Sequence, residues 1–421
     1  MGSRQKGRAV FMSTSIKSRR GVIALSLLLA GGTIALPAQS ALASGAGAIP
    51  AQFAMDGGSS YGATLEILGY ARLVEASYQR SYEDAKKMRG VINEFLDKPT
   101  EENLARARKA WIDARPAYLV TEAFRFYEGP IDFADEETGE EGPEAHINAW
   151  PLNEAYIDYV KGDADAGIIH DTSIPINDKT ILGHDQTEDE ADVTTGWHAI
   201  EFLLWGQDFN DDGPGARPAS DYTPGDKFND RRRLYLKTVT QMLVKDLSWL
   251  AMSWNMDNPN AYATDFLKLP QKEALGRILT GMATLSGFEM ASERMAVALD
   301  SGDQEDEHSC FSDNTNNDFI YDQKGIANIW FGEMGDKEFA GIQDLVARVD
   351  PDLEKKVTAQ IEKTTKAIAA MPHPIDQVLA SPKGSDGRVK MEQAVTDLVE
   401  QGKMLVEVGK ALGVKIVVAT E

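Results

Sequence analysis

Residues 196–206, GWHAIEFLLWG, limit the fold of this chain more than any other stretch. From Trp197 to Trp205 every residue except His198 and Glu201 is apolar. Such a helix has no solvated face and has to be buried all round. Three positions apart, His198 and Glu201 project about 60° from one another and meet on one side of the helix. An ionised carboxylate left without a partner there costs several kcal/mol. Its partner is either a cation shared with the imidazole or a guanidinium from Arg115 or Arg125, with His198 then bonded to a backbone carbonyl.

The surroundings predict helices. Apolar residues recur at helical spacing over 63–96, 100–127, 230–254, 271–300, 351–371 and 387–413, and no comparable set of alternating strands appears. The class is therefore all-α. Thr100 is the expected N-cap of the second helix, with Glu101 and Glu102 in the first turn where the helix dipole favours acids. Pro116 is expected to kink or restart that helix. Between the helices, 128–195, 206–229 and 301–322 are too long for simple connections and read as functional loops. WHAIEFLLWG (197–206) also aligns with QKGIANIWFG (323–332). The match makes the chain two related bundles, of which only the first carries His198 and Glu201, since the second has Lys324 and Ala327 in their places.

Composition sets the partners. Residues 1–43 hold six basic residues and no acidic one, then an apolar run and ALAS, the order of a secretory signal cleaved after Ala43. Without it, basic residues fall from 43 to 37 against 66 acidic ones, and the formal charge moves from −23 to −29. So acidic a chain argues against nucleic acid and anionic membrane and suits cations. The expected setting is the periplasm or cell envelope, with a mature chain that does not span a membrane. Cys310 is the only cysteine, which rules out an intramolecular disulfide and reads as a small buried residue.

A His and a Glu at i and i+3 can ligate one metal, but zinc takes about four donors and iron about six, so others have to converge. EDEHSCFSDNT (305–315) offers Glu305 and His308 at the mirror spacing, and TEAFRFY offers Glu122 among apolar neighbours. DFNDDGPG (208–215) begins like a calcium loop, but its twelfth position is Ala219, and a turn is the better reading. His184 could join a site from its loop but reads as an idle exposed histidine, and His146, His170 and His373 have no supporting neighbours. There is no H-E-x-x-H, G-x-S-x-G or phosphate-binding glycine loop.

Gly196, His198 and Glu201 form a G-x-H-x-x-E signature that resembles the imelysin-like family. The longer HAIEFLLWG, with 114–132, 206–222 and 305–315, is similar to its iron-regulated protein A branch. Asn316 stands where that pattern has a histidine, so this position is not counted as a ligand. The resemblance implies two helical bundles, 44–245 with the motif and 246–421, and a site between them near His198 and Glu201. It also implies iron acquisition, with iron or an iron chelate as ligand, zinc as the other candidate metal, and a membrane iron transporter as a partner. The metal set is His198, Glu201, Glu122, Glu305 and His308, supported by Arg115, Arg125 and Gly196. The alternatives are a zinc-type metallopeptidase on the same pair, whose general base the sequence does not reveal, and an interaction module in which the pair is structural.

Overall fold

The computed structural model describes residues 62–418 except 136, 211 and 212. Residues 1–43, expected to be a signal, and Asp212 of the calcium-like stretch therefore lie outside the described residues. The helices form where apolar spacing places them: Thr64–Asp97, Glu101–Leu119, Gly196–Trp205, Lys227–Ser253, Gln271–Thr284, Pro351–Ala369 and Asp386–Leu412. Strand structure among the described residues amounts to two hairpins of two-residue strands, at 134–141 and 333–338, and one isolated bridge. The molecule is all-α. No described helix is long and apolar enough to cross a membrane.

Thr100 caps its helix, its hydroxyl accepting from the Asn103 amide at 3.3 Å. That helix runs through Pro116 to Leu119 and gives way to a 3₁₀ turn, Glu122–Phe124. The proline falls in the last turn, where one lost amide bond shortens the helix rather than kinking it. The Gln271–Thr284 helix continues directly into a π-helical stretch, Leu285–Ala296. A further helix, Thr315–Phe331, occupies the end of the segment expected to be a loop. Its buried face carries Asn316, Asp318, Asp322 and Gln323, so hydrophobic spacing does not reveal it.

Two sets of helices pack around the site. Thr64–Asp97 lies against Glu101–Leu119 and Lys227–Ser253, and Gly196–Trp205 sits against the latter two. Asp386–Leu412 lies against Pro351–Ala369, Gln271–Thr284 and the π-helical stretch, while Thr315–Phe331 bridges from Pro351–Ala369 back to Glu101–Leu119. Trp111 and Trp197 anchor the first set edge to face at 5.9 Å, and the Trp111 indole donates to the Trp197 carbonyl at 3.1 Å. Trp330 is buried in the second set.

Candidate functional site

The helix Gly196–Trp205 is buried along its whole length. Gly196 opens it at φ 81°, and a Cβ there would stand 2.4 Å from the Ile147 carbonyl oxygen. Only glycine combines that backbone conformation with so close an approach. The helix therefore docks against the 144–148 turn and carries His198 and Glu201 inward.

His198 Nδ1 and Glu201 Oε2 are 2.9 Å apart. The Ser312 amide and hydroxyl both donate to Glu201 Oε1, at 3.0 and 2.6 Å. Neither Arg115 nor Arg125 forks against Glu201. Arg115 instead places Nη2 3.2 Å from His198 Nε2 and 3.2 Å from Asp318 Oδ2, with Nη1 donating to Asn148 at 2.6 Å. It lies over the rings of Trp111, Tyr118 and Trp197. A guanidinium can only donate, so His198 Nε2 accepts and Nδ1 carries the proton given to Glu201. Burial pushes the Glu201 carboxyl up to about 8, and the Ser312 bonds pull it back. Burial, and then Arg115, keep His198 neutral.

Asp318 is the second centre. Its Oδ2 meets His308 Nδ1 at 2.7 Å and accepts from the Ser309 hydroxyl at 2.6 Å, and its Oδ1 accepts from Asn314 at 3.0 Å. Arg115 and these donors hold its carboxyl far below the usual range against the cost of burial. With His308 Nδ1 donating to that carboxylate, the neutral ring keeps its lone pair on Nε2. Burial, then Arg294, brings His308 down to about 4, so it is neutral at pH 7. The His198 and His308 ring centres are 4.9 Å apart. His308 lines a cleft of about 390 Å³ with Trp150, Glu144, Glu289, Arg125 and Arg294. An imidazole oriented by a carboxylate, with its far nitrogen available, is a common arrangement for a metal ligand. His308 is the imidazole that lines the cleft, whereas His198 stands behind it with Nε2 engaged by Arg115.

The structure thus brings together His198, Glu201 and His308, supported by Arg115 and Gly196, and leaves two expected ligands elsewhere. Glu122 is fully buried between Arg125 and Arg294, each at 2.6 Å. Those guanidiniums hold its carboxyl well down despite burial, which supplies the partner that its apolar neighbours demanded. Glu305 lies on an exposed 3₁₀ turn and is raised to about 8 by burial of its carboxyl and by Glu154. Arg125 serves Glu122 and Glu144. Asn316 donates to the Pro372 carbonyl at 2.8 Å. Cys310 is buried, and its thiol is pushed well up by that burial.

Arg294 also holds Asp322 at 2.8 Å and Glu289 at 2.8 Å. Glu289 and Arg294 are five residues apart, the spacing that a π-helix, with its i→i+5 bonds, brings onto one face. Sequence reasoning missed Asp318, Ser312 and Arg294. Ser312 and Asp318 lie within or just beyond the 305–315 block, but nothing in that block marks them as partners of residues more than a hundred positions away.

An all-helical protein with a dry imidazole–carboxylate network, open on one side through a charged cleft, is the class this fold and site define. The family model described as imelysin, peptidase M75, matches residues 74–405, and the chain belongs to the imelysin family. It is similar to iron-regulated protein A of Synechococcus elongatus (strain ATCC 33912 / PCC 7942 / FACHB-805), with 25% identity over 334 residues, 77% of this chain and 80% of the relative. The fold also matches a crystal structure assigned as an iron-regulated protein A precursor from Parabacteroides distasonis ATCC 8503. The TM-score is 0.64 at 19% identity, covering 84% of this chain and 98% of the other.

Proposed function

We propose that this imelysin-family chain is an exported iron-binding protein of iron acquisition, taking its iron as an ion or a chelate at the cleft that His308 lines. The observation that carries the reading is the Asp318–His308 dyad: the 2.7 Å bond at Nδ1 fixes the tautomer and leaves Nε2 as a donor. The neutral state of both imidazoles and the name of the cyanobacterial relative support it. Glu144 and Glu289 line the same cleft and hold Arg125 and Arg294 through Oε1, so Oε2 of each is the oxygen offered to an ion. In this reading His198 and Glu201 hold the floor: Ser312 and His198 take both Glu201 oxygens, and Arg115 takes the outer nitrogen of His198. The two helix sets support the two-bundle organisation, 44–245 and 246–421, that goes with this reading. Export rests on residues 1–43, and a membrane iron transporter is the partner that would receive the cargo.

Binding is favoured over peptide hydrolysis because Glu201, with both oxygens committed, has none left to serve as a general base. The test is iron and zinc content, with calorimetric titration, of wild type, His308→Gln and Glu305→Gln. Stoichiometric iron in wild type and Glu305→Gln, lost at least tenfold in His308→Gln, is the expected result. Equal iron in wild type and His308→Gln refutes the assignment, and chelator-sensitive cleavage of a peptide library by the loaded protein establishes the peptidase alternative.

A further inference from the structure

A second group of buried carboxylates lies apart from the cleft, where three stretches of chain meet. Asp208 follows the helix Gly196–Trp205, Glu307 and Asp313 belong to the loop before Thr315–Phe331, and Asp376 sits in the short helix Ile375–Leu379. One carboxylate oxygen from each of Asp208, Asp313 and Asp376 lies within 4.8 Å of the other two. The three side chains are only 3%, 8% and 3% exposed, and Glu307 is 1% exposed. Both oxygens of Asp376, Oδ2 of Asp208 and Oδ1 of Asp313 are shielded from solvent and accept no hydrogen bond, and Glu307 beside them has only the Thr315 hydroxyl nearby as a donor.

Three other buried acids are treated differently. Glu122, Asp158 and Asp318 each carry an arginine. Around Asp313 and Glu307, by contrast, the neighbouring charges are further carboxylates. Burial followed by those neighbours raises Asp313 to about 8. Dry carboxylates at this separation cannot all ionise without a positive charge among them. Asp208 spends Oδ1 on the Asn210 amide and side chain, both at 3.0 Å, which leaves Oδ2 for the cluster.

We propose that Asp208, Asp313 and Asp376, with Glu307 beside them, hold one hard divalent cation, calcium by preference. The donors are all oxygen, the set that calcium and magnesium take. Oxygens on opposite sides of a calcium ion stand about 4.8 Å apart, so the three carboxylates fit one coordination shell, and calcium accepts several protein carboxylates where magnesium keeps its water. The stretch that begins like a calcium loop thus contributes its first acid, and the remaining ligands come from other loops rather than from its own twelfth position. Glu307 precedes His308 and Asp313 follows Ser312, so the ion fastens both ends of the segment that contacts Asp318 and Glu201.

The test is titration of the purified, chelator-stripped chain with calcium, magnesium and manganese chlorides, by calorimetry and thermal melting. One calcium per chain and a rise in Tm of roughly 3 °C or more at a hundredfold excess over Kd are expected. Asp376→Asn and Asp208→Asn should each lose the heat and the shift, while melting in chelator no lower than wild type because a repelling charge is gone. The wild-type titration decides occupancy and the variants decide location. Neither heat nor shift with any of the three cations overturns the proposal, as does a shift that survives undiminished in both variants.

Discussion

Glu201 shows how one residue can be read correctly in type and wrongly in partner. Its burial and its link to His198 follow from GWHAIEFLLWG. Its main partner, Ser312, is 111 positions away and leaves no local trace. Because donors face both of its oxygens, Glu201→Gln has to turn its NH₂ toward either the Ser312 donors or His198 Nδ1–H. Loss of about 2–3 kcal/mol in denaturant unfolding at pH 9, above the Glu201 value of about 8, is expected from a buried donor left unmatched. A loss below about 0.5 kcal/mol would show that the carboxyl holds a proton and that the amide mimics it. Asp318 makes the complementary point. A charged residue with four donors around it sits fully buried on a helix, and the expectation that such residues face solvent hides it.

At the scale of elements, the long amphipathic helices were legible to within a few residues, because a 3.6-residue period survives wherever one face meets solvent; the exception is the second, expected to reach 127, which ends at Leu119. Thr315–Phe331 was legible only in its second half, where QKGIANIWFG aligns with the motif helix. Both helices end on a glycine of positive φ, Gly206 at 75° and Gly332 at 73°. The site was legible in its motif and in His308, and illegible where buried polar groups or loop-borne acids complete it. Glycines divide by the same physics. Gly196→Ala forces a side chain into a carbonyl at a left-handed φ and should cost at least about 3 kcal/mol, read as a fall in Tm. Gly90→Ala, exposed within Thr64–Asp97 with nothing within 4 Å, should instead stabilise by about 0.5–1 kcal/mol. If the two variants melt alike, the docking role of Gly196 is wrong.

Across the whole molecule, the 3₁₀ turn Glu122–Phe124 is gripped from the far side. A Cβ on Gly281 would stand 2.6 Å from the Ala123 carbonyl oxygen, and one on Gly325 2.5 Å from that of Val120. Arg294 closes the grip on Glu122. Removing the charge by Glu122→Gln leaves two guanidiniums undercompensated and should cost about 3–5 kcal/mol, little changed by 1 M salt because the pair is buried. The folded-state pKa values of Glu122 and Asp158 lie below their usual range, with arginines opposing burial in both cases. Their contribution is therefore complete above about pH 4.5 and lost as the pH falls further. Acid titration followed by circular dichroism should show cooperative unfolding confined to that window, and an unchanged signal down to pH 2 would contradict it. The π-helical turn has a consequence for how such a protein can vary. Deleting one residue between Glu289 and Arg294 would leave that pair at the i, i+4 spacing that shares one face of an α-helix, yet it would turn the guanidinium away from Glu122 and Asp322, which lie on other elements. Substitutions can tune this wall of the cleft by degrees, but a change of length here acts as a single, all-or-nothing step.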